Sequence, residues 1–384
     1  MSEPIRVAIV GGGIAGASLF HALLQRPHLD VHIFESAAEF KEAGAAIGVA
    51  RNGLAALDLI GSSAAQCLER AGAVAQRGVR AMLAQGEFRN SMIDEARDDD
   101  GRRLTSIVHR AAFLRELLAG APAARMHVSK KLVRVERAGD DAPATLHFVD
   151  GTTHECDILV GADGIHSKVR KIILGEDDPA ASPRNAGWWA VMALKPYAEA
   201  RASFDEWLID ADNAREHAWV GDGTYLLHNV LNEGSLVQIV LCAVDEDAKT
   251  SEQWHRMASS EEILKLYQDW PPSLNKAVKE LLCDQPQQPA MYLWDHPPAR
   301  TYVSGPLCIM GDAPHPGRVL AANPLRSSRS FEETGVIMTG RGPDGLDLGS
   351  LKHKLLQRWD FIIDFDNKKA RDEAVEMMRA KLEK

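Results

Sequence analysis

Residues 6–10 form a short run of β-branched and apolar side chains that ends in three glycines. From residue 14 to 24 the apolar positions return at helical spacing until Pro27, and residues 31–34 are again a short apolar run. A strand, a helix and a strand within about thirty residues predict a βαβ unit, whose two strands lie parallel in one sheet. Helical spacing over 52–60 stops at Gly61, and residues 78–83 and 105–108 read as strands. The charged stretch 94–103 between them predicts a solvated loop. Residues 132–136 and 144–149 predict a hairpin, followed by a strand over 156–160.

The texture changes after Gly187. Apolar or alternating runs at 188–194, 218–220, 225–231 and 236–244 are separated by Gly, Asp and Asn. This pattern predicts a mainly antiparallel sheet inserted into the α/β chain. Residues 261–282 read as helical apart from Pro271 and Pro272, and 306–310 as a last buried strand. The stretch 367–384 carries Ala370, Ala374, Val375, Met378 and Leu382 on one helical face. The expected fold class is α/β: a Rossmann-like parallel sheet, an inserted antiparallel sheet and a C-terminal helical tail.

A chain of 384 residues has length enough for two domains. A net charge of −10 argues against a nucleic-acid partner, while leaving room for one basic pocket around a small anion. Five cysteines lie far apart with no CxxC pair, which suits a reducing compartment. With no cleavable leader pattern and no apolar run long enough to span a bilayer, the expectation is a cytoplasmic protein without a membrane span.

Three motifs carry chemistry. Gly11, Gly13 and Gly16 stand in the order GxGxxG between the first strand and helix, with Ala15 inside the motif. Such glycines make a tight turn, let a pyrophosphate approach the backbone and let helix and strand pack closely. Beyond them a helix N-terminus presents free N–H groups to phosphate. Glu35 ends the second strand, near the distance at which a carboxylate grips an adenosine ribose. The second motif runs from a buried strand into Gly161-Ala-Asp163-Gly164 and a helix start; from the residues alone it is a turn with an acidic cap. The third is Gly311-Asp312 at the end of the last strand, where open α/β sheets bind ligands.

These motifs, in this order and at these separations, resemble the single-component flavoprotein monooxygenases of the salicylate-hydroxylase-like kind. The GxGxxG resembles their ADP site, Asp163-Gly164 their DG motif and Gly311-Asp312 their GD motif. The segment from Gly44 to Gly48 resembles their flavin-side glycines, and His109-Arg110 the pair whose arginine contacts FAD. Residues 327–335 and 358–364 resemble their tail.

The resemblance implies FAD, a transient NADH or NADPH, O2 and a small aromatic substrate that is hydroxylated. It divides the chain into an FAD-binding domain (1–77, 104–182, 299–325), a substrate-binding domain (78–103, 183–298) and a tail (326–384). The FAD contacts it implies are Gly11, Gly13, Ala15, Gly16, Glu35, Gly48, Arg110, Asp163 and Asp312.

Two departures stand out. After His315 the glycine-rich run and long helix of the family are missing, and the tail-like sequence resumes near Arg326. Two readings stay open: a working hydroxylase, or a shortened flavin-fold paralogue with weak FAD binding and little activity. Met192 also stands where many relatives carry an arginine facing the substrate, so a carboxylate loses its partner there. Candidate substrate-side residues come from the inserted sheet: Tyr225 and Gln238, with His228 as the base for a phenol. Trp188, Trp189 and Trp219 are candidate walls, set against ordinary core packing. An NAD-dependent dehydrogenase built on the first βαβ unit alone leaves Asp163 and Asp312 without a role. The substrate, the choice of NADH or NADPH and the oligomeric state stay open.

Overall fold

The structure is a computed structural model and describes residues 3–41, 46–95, 105–139, 142–314, 336–355 and 365–382. Its first sheet has six strands in the order Val303–Ser304, Leu307–Ile309, Ile158–Gly161, Ile5–Val10, Leu29–Phe34 and Met126–His127. All neighbours are parallel except the pair at the Val303–Ser304 edge. Successive side chains of Ile5–Val10 enter two different cores. Val7 and Ile9 pack with Phe20, Leu114 and Leu117, while Ala8 and Val10 pack with Leu146, Phe148 and Ile173. Burial on both faces explains why this strand reads as a continuous apolar run.

Helices Ile14–Leu23 and Arg110–Leu118 cover one face. A three-stranded antiparallel sheet, Leu132–Arg137, Ala144–Phe148 and Thr153–Cys156, and the helix Lys168–Leu174 cover the other. The predicted hairpin is thus part of a three-stranded sheet.

The inserted sheet has eight strands in the order His255–Ser259, Gln287–Asp295, Arg184–Pro196, Leu236–Val244, Thr224–Leu231, Glu216–Val220, Val79–Leu83 and Met92–Glu95. Only Val79–Leu83 and Glu216–Val220 pair in parallel. Helices Tyr197–Ser203, Ser260–Tyr267 and Pro272–Ala277 seal one face of it over a core that holds Trp189, Trp219, Leu226, Ile239 and Leu274. Tyr267 reaches from this layer into the sheet. Its hydroxyl lies 2.9 Å from both the Tyr225 and the Cys242 carbonyl oxygens, on facing residues of two strands.

Two expectations need correction. The stretch 94–103 is not loop from its start: Met92–Glu95 is the edge strand, and Glu95 accepts from Arg80 at 2.6 Å and pairs with Arg215 at 3.0 Å. Its remainder lies outside the described residues. Two strands, His255–Ser259 and Gln287–Asp295, lie in segments the apolar pattern passed over, the second because Gln287, Gln288 and Pro289 open it. The expected C-terminal helix is present as Asn367–Leu382, with Val375 39% and Met378 65% accessible.

The two sheets are tied together by Arg170, which is fully buried. Its guanidinium donates to the carbonyls of Ala180 (2.7 Å), Ala313 and Pro314 (2.9 Å each) and Pro297 (2.7 Å). No helix among the described residues is long and apolar enough to cross a membrane.

Two stability predictions follow from these hydrogen bonds. Tyr267→Phe keeps the ring but strands buried carbonyls, and is expected to lower the unfolding free energy by about 1–2 kcal/mol. Arg170→Met fills similar space and strands four carbonyls, with an expected loss of at least about 3 kcal/mol. Urea unfolding midpoints at unchanged slope check both.

Candidate active site

Three strands adjacent in the first sheet end at Val10, Gly161 and Ile309. Their carboxyl ends deliver the GxGxxG turn, Asp163 and Asp312 to one edge of the sheet. Gly11 has φ +110°, and a Cβ on it would lie 2.1 Å from the Ala162 carbonyl oxygen. A Cβ on Gly16 would lie 2.0 Å from the Gly11 carbonyl oxygen. These two glycines are required by backbone-to-backbone contact. Gly311 presses on the same turn, since its Cβ would meet that of Ala15 at 2.6 Å. The first and third motifs therefore touch.

Gly13 is the N-cap of the helix Ile14–Leu23, with extended backbone and no side-chain cap, and the first turn holds no acidic residue. Its leading N–H groups suit an anion. Glu35 ends the neighbouring strand with its carboxylate turned back to the glycines. It accepts from Gly12 N at 2.7 Å with one oxygen, and from Ala37 N at 2.7 Å and Ser36 Oγ at 3.0 Å with the other. It braces the turn, a role the motif alone did not reveal.

Asp163 acts as an acidic cap. Its carboxylate accepts from Ser167 Oγ (2.5 Å), Lys168 N (2.7 Å) and Val169 N (3.1 Å), and so holds the start of the helix Lys168–Leu174. Burial pushes its pKa up and these hydrogen bonds pull it back. Asp312 is half-buried in the turn after Leu307–Ile309, where Gly311 takes φ +68°. Arg110 opens the helix Arg110–Leu118 directly after the strand Thr105–His109, and Gly48 sits opposite Ile107 of that strand. His315, Gly44 and residues 327–335 and 358–364 lie outside the described residues.

In the inserted sheet the candidates separate. Leu226, Ile239 and Val191 face the helix layer. His228 pairs with Ile239 and shares that side: it is fully buried, with its ring 4.5 Å from Phe204 and stacked 5.0 Å from His217. Burial pulls its pKa well below the usual imidazole range. The expectation that His228 faces a pocket beside Tyr225 is therefore corrected, because period-two alternation puts residues 225 and 228 on opposite faces. Trp189 and Trp219 also belong to the helix-side core.

Tyr225 lies on the other face. There the register sets Ala190, Cys242 and Tyr225 side by side, then Met192, Val240 and Leu227, then Leu194, Gln238 and Asn229. Ala190, Val240, Cys242, Tyr225, Leu227 and Leu293 form one apolar cluster. Met192 on the same face is 37% exposed. Glu216 and Asn229, which the sequence reading did not single out, meet here: Asn229 Nδ2 donates to Glu216 Oε2 at 3.1 Å. Alternation from Tyr225 would have found Asn229, but Glu216 stands outside the apolar run that marked its strand.

The crook of Gly11–Gly16, the helix N-terminus after Gly13 and the carboxylates of Glu35 and Asp312 fit a dinucleotide with an extended polyol arm. Comparison with known proteins agrees. Residues 4–323 match the family model described as an FAD binding domain. The chain is 35% identical over 325 residues to the 6-methylsalicylate 1-monooxygenase of Aspergillus terreus, covering 82% of this chain and 70% of that protein. It is 32% identical over 323 residues to an FAD-dependent monooxygenase of Monascus ruber, covering 82% and 72%. The salicylate hydroxylase of Pseudomonas putida is 29% identical over 333 residues, covering 81% and 71%. In fold, a salicylate hydroxylase substrate complex superposes with a TM-score of 0.76 at 22% identity, covering 95% of this chain and 96% of that one. The chain belongs to the FAD-binding-domain family of flavoprotein monooxygenases, with salicylate-hydroxylase-like relatives.

Proposed function

We propose that this chain hydroxylates a phenolic aromatic compound at the expense of NADH or NADPH and O2. The observation that carries this reading is the meeting of three motifs at one sheet edge, in a chain whose second sheet has helices on one face and a small apolar cluster beside Tyr225 on the other. In this reading residues 1–77, 104–182 and 299–325 hold FAD, and 78–103 and 183–298 hold the substrate. The GxGxxG turn with Gly13 and Ala15 holds the pyrophosphate, Glu35 the adenosine ribose and Asp312 the ribityl chain, with Gly48 and Arg110 beside them. Asp163 keeps its turn in shape through the cap on Lys168–Leu174. FAD, when bound, supplies hydride acceptance and the activation of O2.

The protein's own part is to place the aromatic ring and keep water away. The apolar patch of Ala190, Val240, Cys242 and Leu227 suits a flat ring. Tyr225 borders it, and burial holds its phenol well above its ordinary pKa, so at neutral pH it is a hydrogen-bond donor and not a base. His228 has no place in this site. All five cysteines are free, which favours the reducing cytoplasm as the setting. Homologues that act on 6-methylsalicylate and salicylate support an aromatic substrate.

Two expectations test the reading. Gly16→Ala forces a Cβ against the Gly11 carbonyl and is expected to lower FAD affinity at least about a hundredfold, measured by flavin fluorescence quenching. A suitable phenol is expected to speed NADH or NADPH oxidation by the FAD-loaded chain, and the product should carry oxygen from labelled dioxygen. Label arriving from water instead would overturn the monooxygenase assignment.

A further inference from the structure

At one end of the face turned away from the helices, two amide oxygens have no hydrogen-bond partner. Asn229 is 2% and Gln238 7% exposed, and they face each other across two strands. Asn229 Oδ1 and Gln238 Oε1 are both buried without a hydrogen-bond partner, although Asn229 Nδ2 is engaged by Glu216. A buried polar atom left unsatisfied costs about 1–3 kcal/mol, so two side by side in an otherwise apolar face await a ligand or water. The carboxyl end of Glu216 is buried, which raises its pKa and favours the neutral acid, with the Asn229 bond acting the other way. None of the nine positions of the face, from Ala190 to Asn229, carries a cationic side chain.

Resting on the reading above, we propose that Gln238 and Asn229, with Glu216 behind them, form the subsite for a phenolic hydroxyl of the substrate, whose ring lies over Leu227, Val240 and Met192. A hydroxyl both donates and accepts, so it satisfies either orientation of the two amides. A carboxylate only accepts, would bring charge to a face without a cation and would meet the Glu216 carboxyl. This gives the Met192 departure a chemical meaning. The acid-recognising position is apolar, and recognition has moved to a neutral polar end of the same face.

The test is calorimetric titration of the FAD-loaded chain with 3-methylphenol, 3-methylanisole and 3-methylbenzoate. The wild type is expected to bind the phenol at least about tenfold tighter than either other probe, the worth of one buried hydrogen bond. Gln238→Met and Asn229→Leu should each cost the phenol about tenfold, leave the anisole within about twofold and leave FAD affinity unchanged. Equal losses for phenol and anisole, no loss for either, or tightest wild-type binding of the benzoate would each overturn the subsite. Should the variants fail to fold, the wild-type order among the three probes decides alone. NADH and NADPH oxidation separates the two levels. If the phenol speeds oxidation but Gln238→Met and wild type respond to it alike, only the subsite fails. If no probe speeds oxidation while FAD is bound, the hydroxylase reading fails and the subsite with it.

Discussion

The fold depends on one buried cation, the guanidinium of Arg170, which meets four backbone carbonyls. Two of these, Ala313 and Pro314, follow the GD motif, one belongs to the segment after the capped helix, and one, Pro297, to the link out of the inserted sheet. A buried charge tolerates no loose partner, because each carbonyl compensates part of the lost hydration. Arg170 is itself set by the turn before it: Asp163 caps Lys168 and Val169, and Ser167 Oγ accepts from Arg170 N at 2.9 Å. The DG motif thus fixes the guanidinium, and the guanidinium fixes the chain after the GD motif. Gly311 then lies against Ala15, and Gly16 against Gly11. Motifs some 150 residues apart in sequence form one rigid edge because each leaves no room for a side chain, or no freedom for a carbonyl, at the next.

Much of this was legible in the sequence, for a local reason. Glycine-rich turns after short apolar strands have few other uses, so the βαβ unit and the three strand ends could be placed from residues 6–16, 157–164 and 307–312. The inserted sheet was visible where apolar alternation was strong, as in residues 188–194 and 236–244. It was invisible where strands open with polar residues, as at Gln287, or end in charge, as at Glu95, since pairing by distant partners replaces hydrophobic pattern there. The acidic cap at Asp163 was legible in its turn, but the carboxylate of Glu35 could be named and not assigned. Whether an acid reaches a ligand or its own backbone is decided within 3 Å, and spacing does not resolve that.

The placement of His228 shows the limit from another side. Tyr225 and His228 are three apart in a strand, a separation that puts neighbours together on a helix and apart on a sheet. On this strand only one of the two can face a given side of the sheet. The imidazole instead stacks on His217 at 14° between ring planes, in a layer where both rings stay neutral because burial pulls their pKa down, that of His217 to about 4. Two neutral rings pack there as flat, moderately polar surfaces beside Phe204 and Trp207.

What remains is an inequality between the two faces of one sheet. The helix side is filled by Trp189, Trp219, Tyr267 and Trp270, all nearly fully buried. The other side carries smaller residues, Ala190, Val240 and Cys242, along two neighbouring strands, and the Tyr267 hydroxyl ties the second of these to Tyr225 of the next strand. In the proposed reading, the capacity to hold a flat ring rests on these small residues. The polar end at Asn229 and Gln238 is held by backbone pairing along those strands and does not depend on a loop. The chemistry of the proposed subsite is set by which few residues alternate onto this face.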